Sequence, residues 1–150
     1  MYRNTFVQYL TKVLIDVMFY TGIVICLALP WVMPRALPLF GYDTAHTLPY
    51  TLILLSSGLC TLFILWQLKA IFRTLLGGDP FVFANVTCFR KIAVACFLIA
   101  LIYVVKAFIL FSLTSLVFII IFALAGLFCL TLKDVFKQAI AYKEENDWTV

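Results

Sequence analysis

The sequence predicts an all-α polytopic membrane protein, a four-transmembrane-helix bundle made of two hairpins within one domain, residues 1–150. Three observations carry that prediction. First, 65% of the 150 residues are apolar, 17% aromatic and only 12% charged, whereas soluble domains hold about 25% charged and about 45–50% apolar residues. A globule of this size still exposes about a third of the surface of its unfolded chain, too much to keep such a composition dry. Second, four long apolar stretches approach the roughly 20 residues that cross about 30 Å of hydrocarbon. Third, basic residues gather on one side of those stretches. Together these exclude a soluble enzyme, a DNA-binding domain, a disordered chain and a secreted disulfide scaffold as descriptions of the whole.

The first span covers about residues 13–32 and holds one charge, Asp16. Its apolar run is longer than a signal peptide's and lacks a small-x-small cleavage site, so it reads as an uncleaved span. Pro30, Pro34 and Pro38 are expected to end it and stiffen the outer loop. The second span, about 52–68, and the fourth, about 116–132, carry no charge; the third, about 92–111, contains Lys106. Ser112-Leu113-Thr114-Ser115 leaves room only for a tight turn between the last two. Strands are not expected, because open sheet edges cannot be satisfied in lipid.

Arg3, Lys12, Lys69, Arg73, Arg90, Lys91, Lys133, Lys137 and Lys143 fall on one side of the spans; Arg35 falls on the other. The positive-inside rule then places both termini, the loop 69–91 and the tail 133–150 in the cytoplasm. The net charge of +4 follows from topology and anionic headgroups, and no direct nucleic-acid binding is read from it.

The two hairpins end alike. Leu68-Lys69-Ala70-Ile71-Phe72-Arg73 and Leu132-Lys133-Asp134-Val135-Phe136-Lys137 stand 64 positions apart, and Lys12 and Lys91 precede spans one and three. This pattern suggests a parallel internal repeat, although shared interfacial chemistry would give the same few identities. After each exit an apolar stripe continues: Leu68, Ile71, Phe72, Leu75, Leu76, and Leu132, Val135, Phe136, Ala139, Ile140. Spacing at i, i+3, i+4, i+7 is that of an amphipathic helix, so helices two and four are expected to run on beyond the bilayer. Gly77-Gly78 is expected to stop the first extension. Two uses of the stripes stand open: packing on each other or on headgroups, or a docking surface for another protein. In the loop, Asp79 is a favoured N-cap and Pro80 suits the first helical position, which predicts a helix start at Pro80.

Asp79-Pro80-Phe81, Asn85 and Phe89-Arg90-Lys91-Ile92 resemble the "N/D-P-F-x-x-E-N-x-x-x-L-R-x-I" signature of a bacterial membrane family, the domain-of-unknown-function family numbered 2975. The tail Lys143-Glu144-Glu145-Asn146-Asp147-Trp148-Thr149-Val150 is similar to that family's "E-E-N-D-L-T-V" ending, and the four-span layout agrees over the whole chain. Ala84 stands where the family has Glu, so no role for that carboxylate carries over; Trp148 replaces Leu. The resemblance implies a bacterial cytoplasmic membrane protein whose gene often neighbours a Cro/CI-type helix-turn-helix regulator. It thus implies a membrane partner that holds or releases that regulator.

From the residues themselves, Glu144, Glu145 and Asp147 form the one acidic cluster, facing a loop with Arg73, Arg90 and Lys91. The tail either folds back on that loop as a weak latch or frays as a solvated terminus. Asp16 lies four residues after Lys12, within pairing reach on a helix; proton coupling is the sharper alternative for an acid in a span. Lys106 is expected to snorkel to the outer headgroups, with pairing to Asp43 or an anionic ligand as alternatives. Asp16 and Lys106 sit at opposite depths and are not expected to pair.

The five cysteines, Cys26, Cys60, Cys88, Cys96 and Cys129, include no C-x-x-C, which argues against a disulfide catalyst. His46 has no neighbouring ligand, so no metal and no cofactor is expected. Gly22, Ser56, Ser57, Gly58, Ala123 and Gly126 are small residues that let helices approach. No phosphate-binding loop, nucleophile elbow or dinucleotide fingerprint appears.

The expected function is therefore a non-enzymatic regulatory membrane protein, alone or as a homo-oligomer. The expected partner-binding residues are Ile71, Phe72, Arg73, Asp79, Pro80, Phe81, Asn85, Arg90, Phe136, Glu144, Glu145, Asn146 and Asp147. The alternative is a transporter or ligand sensor using Asp16 or Lys106.

Overall fold

The computed structural model describes residues 6–149; Arg3 and Val150 lie outside the described residues. The chain forms four helices: α1 (Phe6–Leu39), α2 (Thr47–Leu76), α3 (Phe83–Ile109) and α4 (Leu113–Trp148), with a 3₁₀ turn at Thr44–His46 between the first two. No strand occurs among the described residues. Each helix is long and apolar enough to cross a membrane, and the protein is a multi-pass membrane protein.

The first helix departs from expectation. Pro30, Pro34 and Pro38 lie inside α1 instead of ending it. Spaced four apart, they line one exposed strip, so the lost hydrogen bonds fall on the carbonyls of Cys26, Pro30 and Pro34 along that single strip. Membrane helices tolerate such losses where the rest of the turn stays bonded. The helix closes only at Leu37, whose carbonyl accepts from Phe40 and Tyr42.

Helix α2 ends where the glycines predict. Gly77 N–H donates to Arg73 O at 3.1 Å, and Gly78 takes a φ of 90°, a left-handed conformation that glycine adopts without steric cost. The expected start of α3 at Pro80 is overturned: α3 begins at Phe83, with Val82 as a cap that makes no side-chain hydrogen bond. The Asp79 carboxylate is taken by Lys143 of α4, and the Pro80 carbonyl by the Asn85 amide. The long-range pairing of Asp79 with Lys143 outcompetes local capping. The turn between α3 and α4 is as short as predicted, with Ser115 N–H donating to Ser112 O at 2.9 Å.

The helices pack in series: α1 on α2, α2 on α3, and α3 on α4. Helix α3 is thus the central rod, and α1 packs along α2, sharing with α4 the cavity that Gln8, Phe136 and Lys143 line. Ile92, Ala93, Ala95, Cys96, Ile99 and Ala100 of α3 are buried. Small side chains set the approach. A Cβ at Gly126 would lie 2.9 Å from the Phe97 ring, and one at Gly58 would lie 2.8 Å from Cys26 Sγ. Without a hydrophobic drive between helices in lipid, such close van der Waals contact is what holds them.

Candidate functional site: the end that carries both termini

Past Leu68 and Leu132, α2 continues for 8 residues and α4 for 16, about 12 Å and about 24 Å at 1.5 Å per residue. Their stripes are spent largely on the inside of the protein, with Val135 left exposed. Ile71 joins Phe89, Ile92 and Cys96 in a buried cluster, flanked by Leu68, Leu132 and Phe136. Phe136 meets Phe89 at 4.9 Å and Phe81 at 5.5 Å between ring centroids, and Ile140 is buried. The stripes therefore clamp the first turns of α3 between the two exits.

A polar lock sits inside that clamp. Asn85 is 1% exposed. Its amide nitrogen donates to Thr74 Oγ1 and to Pro80 O, each at 2.7 Å, and Thr74 Oγ1 lies 3.0 Å from Asn85 Oδ1. One side chain thus ties the end of α2, the loop and the start of α3. A buried amide with its donors satisfied fixes a single arrangement, since any other would strand them. On the surface, Lys143 Nζ bonds both Asp79 oxygens at 2.9 and 3.0 Å.

The tail neither frays nor folds back. Residues 133–148 complete α4, and the acidic cluster rides on that helix. Glu144, Glu145 and Asp147 are exposed and form no ion pair with Arg73, Arg90 or Lys91 among the described residues. Alanines and long straight side chains favour the helix, and buried Ile140 anchors it. The link between tail and loop is Lys143 to Asp79, opposite in sign to the predicted latch. Beyond Ile140 the helix also exposes two large aromatics, Tyr142 at 73% and Trp148 at 89%.

The residues expected to bind a partner divide accordingly. Asp79, Pro80, Phe81 and Phe136 come together with Lys143, Leu75, Gly78 and Gln8 around a cavity of about 460 Å³. Ile71 and Asn85 are buried in the clamp, and Phe72 is half-buried. Arg73 and Arg90 are exposed but line separate hollows on different hairpins. Glu144, Glu145, Asn146 and Asp147 are exposed on the α4 extension.

Asp16 pairs with Lys69 of α2 at 2.9 Å, not with Lys12. The reason is depth and facing: Lys69 leaves α2 level with Asp16, and its Nζ is also held over the rings of Phe19 at 4.7 Å and Tyr20 at 5.0 Å. Lys106 lies toward the opposite end. Its Nζ sits 5.7 Å from the Tyr50 ring and 5.5 Å from the Tyr103 ring. No described carboxylate pairs with it, Asp43 included. Among the described residues no group of three His, Cys, Asp or Glu side chains gathers as a metal would need.

Residues 41–150 match a family model described as "Protein of unknown function (DUF2975)". That range takes in α2, α3 and α4 and begins after the end of α1, so the likeness is narrower than the whole-chain agreement expected from the four-span layout. No curated protein and no solved structure matches the chain.

Proposed function

The chain belongs to the DUF2975 family, and with that as premise we propose a non-enzymatic regulatory protein of the bacterial cytoplasmic membrane. Its cytoplasmic face, the end with both termini, binds a small helix-turn-helix transcription regulator. The observation that carries this reading is the 460 Å³ cavity shared by Asp79, Pro80, Phe81 and Phe136 at the foot of the acidic α4 extension. Cavities of about 300–1,000 Å³ accept a bulky side chain or small ligand. A DNA-binding regulator offers basic surface, which complements Glu144, Glu145 and Asp147. Tyr142 and Trp148 are the residue types that anchor protein interfaces. Held this way, the regulator's own basic face is covered by carboxylates in place of phosphates.

The transport alternative has less support. Asp16 is occupied by Lys69, and Lys106 rests on two tyrosine rings.

Co-purification with a Cro/CI-type helix-turn-helix regulator, the kind of partner the family resemblance implies, tests the proposal. Wild type should retain the regulator. Reversing Glu144, Glu145 and Asp147 to Lys, or filling the cavity with Leu75→Trp, should release it. Failure of wild type to retain it, or retention undiminished by both changes, defeats the reading.

A further inference from the structure

Each hairpin carries a charged hollow where its two helices meet at the termini end, and the two hollows match. In the first, Lys12 of α1 faces Lys69 and Arg73 of α2, with Asp16 beside them, around a cavity of about 230 Å³. In the second, Arg90 of α3 faces Lys133 and Lys137 of α4, with Asp134 beside them, again around about 230 Å³. In each, one lysine is neutralised: Lys69 by Asp16 at 2.9 Å and Lys133 by Asp134 at 3.2 Å. In each, two cations remain without a carboxylate among the described residues, Lys12 with Arg73 and Arg90 with Lys137. The exit residues of the two sites correspond at the same offset of 64 positions, Lys69 with Lys133 and Arg73 with Lys137. The repeat in the sequence is thus a repeat of a cationic site.

We infer that these hollows are paired binding sites for a phosphate group, one per hairpin, and that the phosphate belongs to an anionic phospholipid. Two free cations about one cavity suit a phosphate, which arginine grips through two parallel N–H bonds and lysine meets as a point charge. The source follows from depth. Both sites open just past the ends of the apolar spans, where headgroups lie, and basic pockets between membrane helices recognise such groups. Apolar rims, Phe72 with Ile15 in the first and Phe83 with Val86 in the second, offer a shoulder for the start of an acyl chain. The aspartate in each hollow holds one lysine and lowers the net charge from +3 to +2, which leaves two cations for a phosphodiester monoanion. This inference stands apart from regulator docking, which uses the α4 extension and the larger cavity.

Native mass spectrometry of the detergent-solubilised full chain, loaded with phosphatidylglycerol or phosphatidylcholine and stripped stepwise, tests it. Wild type should keep two phosphatidylglycerol molecules under conditions that remove all phosphatidylcholine. Lys12→Gln with Arg73→Gln should keep one, Arg90→Gln with Lys137→Gln should keep one, and the fourfold variant none. Because charge removal could disturb folding, Asp16→Asn supplies a variant of opposite sign. It frees Lys69 and should raise the detergent needed to strip the first site several-fold. Equal retention by wild type and the fourfold variant, meaning an unspecific lipid belt, overturns the inference, as does unchanged or weaker retention in Asp16→Asn. Displacement of phosphatidylglycerol by inorganic phosphate would keep the phosphate chemistry but overturn the lipid as its source.

Discussion

Helices α1 and α3 are both apolar enough to span a bilayer, yet they relate to the rest of the protein in opposite ways. In its most apolar window α3 is 39% buried and α1 11%. Helix α3 presents Ala93, Ala95, Ala100 and Cys96 to its neighbours, small side chains that bring backbones together. Helix α1 exposes Val13, Leu14, Val17, Val24 and Leu27 and packs mainly along α2. The difference teaches that apolarity in lipid decides whether a helix crosses, whereas residue size and buried polar groups decide whether it packs. The family match covers α2 through α4, with α3 at its centre.

The sharpest way to break this contrast is a matched pair of truncations. Phe89→Ala, in the clamp between α2 and α4, should lower stability by about 3 kcal/mol, the low end for buried aromatics, because lipid repays part of the lost transfer energy. Val24→Ala on the exposed side of α1, 65% accessible, should change it by less than about 0.5 kcal/mol, as surface positions do. Unfolding titrations in detergent and denaturant compare the two directly. Equal losses would mean that α1 is packed as tightly as α3.

Next in size is the lock. Asn85→Ala removes the donor to Pro80 O and leaves the Thr74 hydroxyl with only its bond to Ile71 O, and an unsatisfied buried polar group costs about 1–3 kcal/mol. Hydrogen exchange should quicken across the loop 77–82 and the first turn of α3 together, because one side chain holds both. Exchange confined to the loop would show that the aromatic contacts alone seat α3.

What was legible beforehand divides along the same lines. The spans, the tight turn at Ser112, the glycine stop after Leu76 and the helical run-on past both exits were written in local pattern, and local pattern was enough. The start of α3 was not, because Asp79 is drawn away by Lys143, 64 residues later. Nor was the Asp16 partner: a lysine four residues off on the same helix was the local choice, and Lys69 from α2 took its place. The prolines of α1 misled for a related reason, since breaker rules drawn from soluble helices overstate their effect where the hydrogen-bond loss is confined to one strip. For the candidate site, the sequence identified Asp79, Pro80, Phe81 and Phe136 but not the cavity they share. The second cationic hollow was half-visible as a repeat of exits, and its meaning needed the facing residues Lys12 and Arg90.

A smaller effect belongs to the pair that ties α1 to α2. Asp16 and Lys69 are 33% and 25% exposed, so solvent screens them, and Lys69→Met should cost no more than about 1 kcal/mol. The methionine keeps the stem against Phe19 and Tyr20, which isolates the charge. A loss as large as that of Asn85→Ala would place a second lock at the α1–α2 contact and dissolve the contrast between peripheral and central helix.

The smallest effect is expected at Lys143, and it separates two ways of holding the loop. Lys143 and Asp79 are 45% and 54% exposed, and pairs so well hydrated contribute about 0–1 kcal/mol. Lys143→Gln should therefore leave stability within about 0.5 kcal/mol of wild type. Amide exchange in 77–82 should also stay unchanged, because Asn85 still grips Pro80 from beneath. If Lys143→Gln instead loosens the loop as far as Asn85→Ala does, the loop is held from above by the α4 extension. Any partner that pulls on that extension would then move the loop with it, and the rigid end of the molecule would be its responsive one.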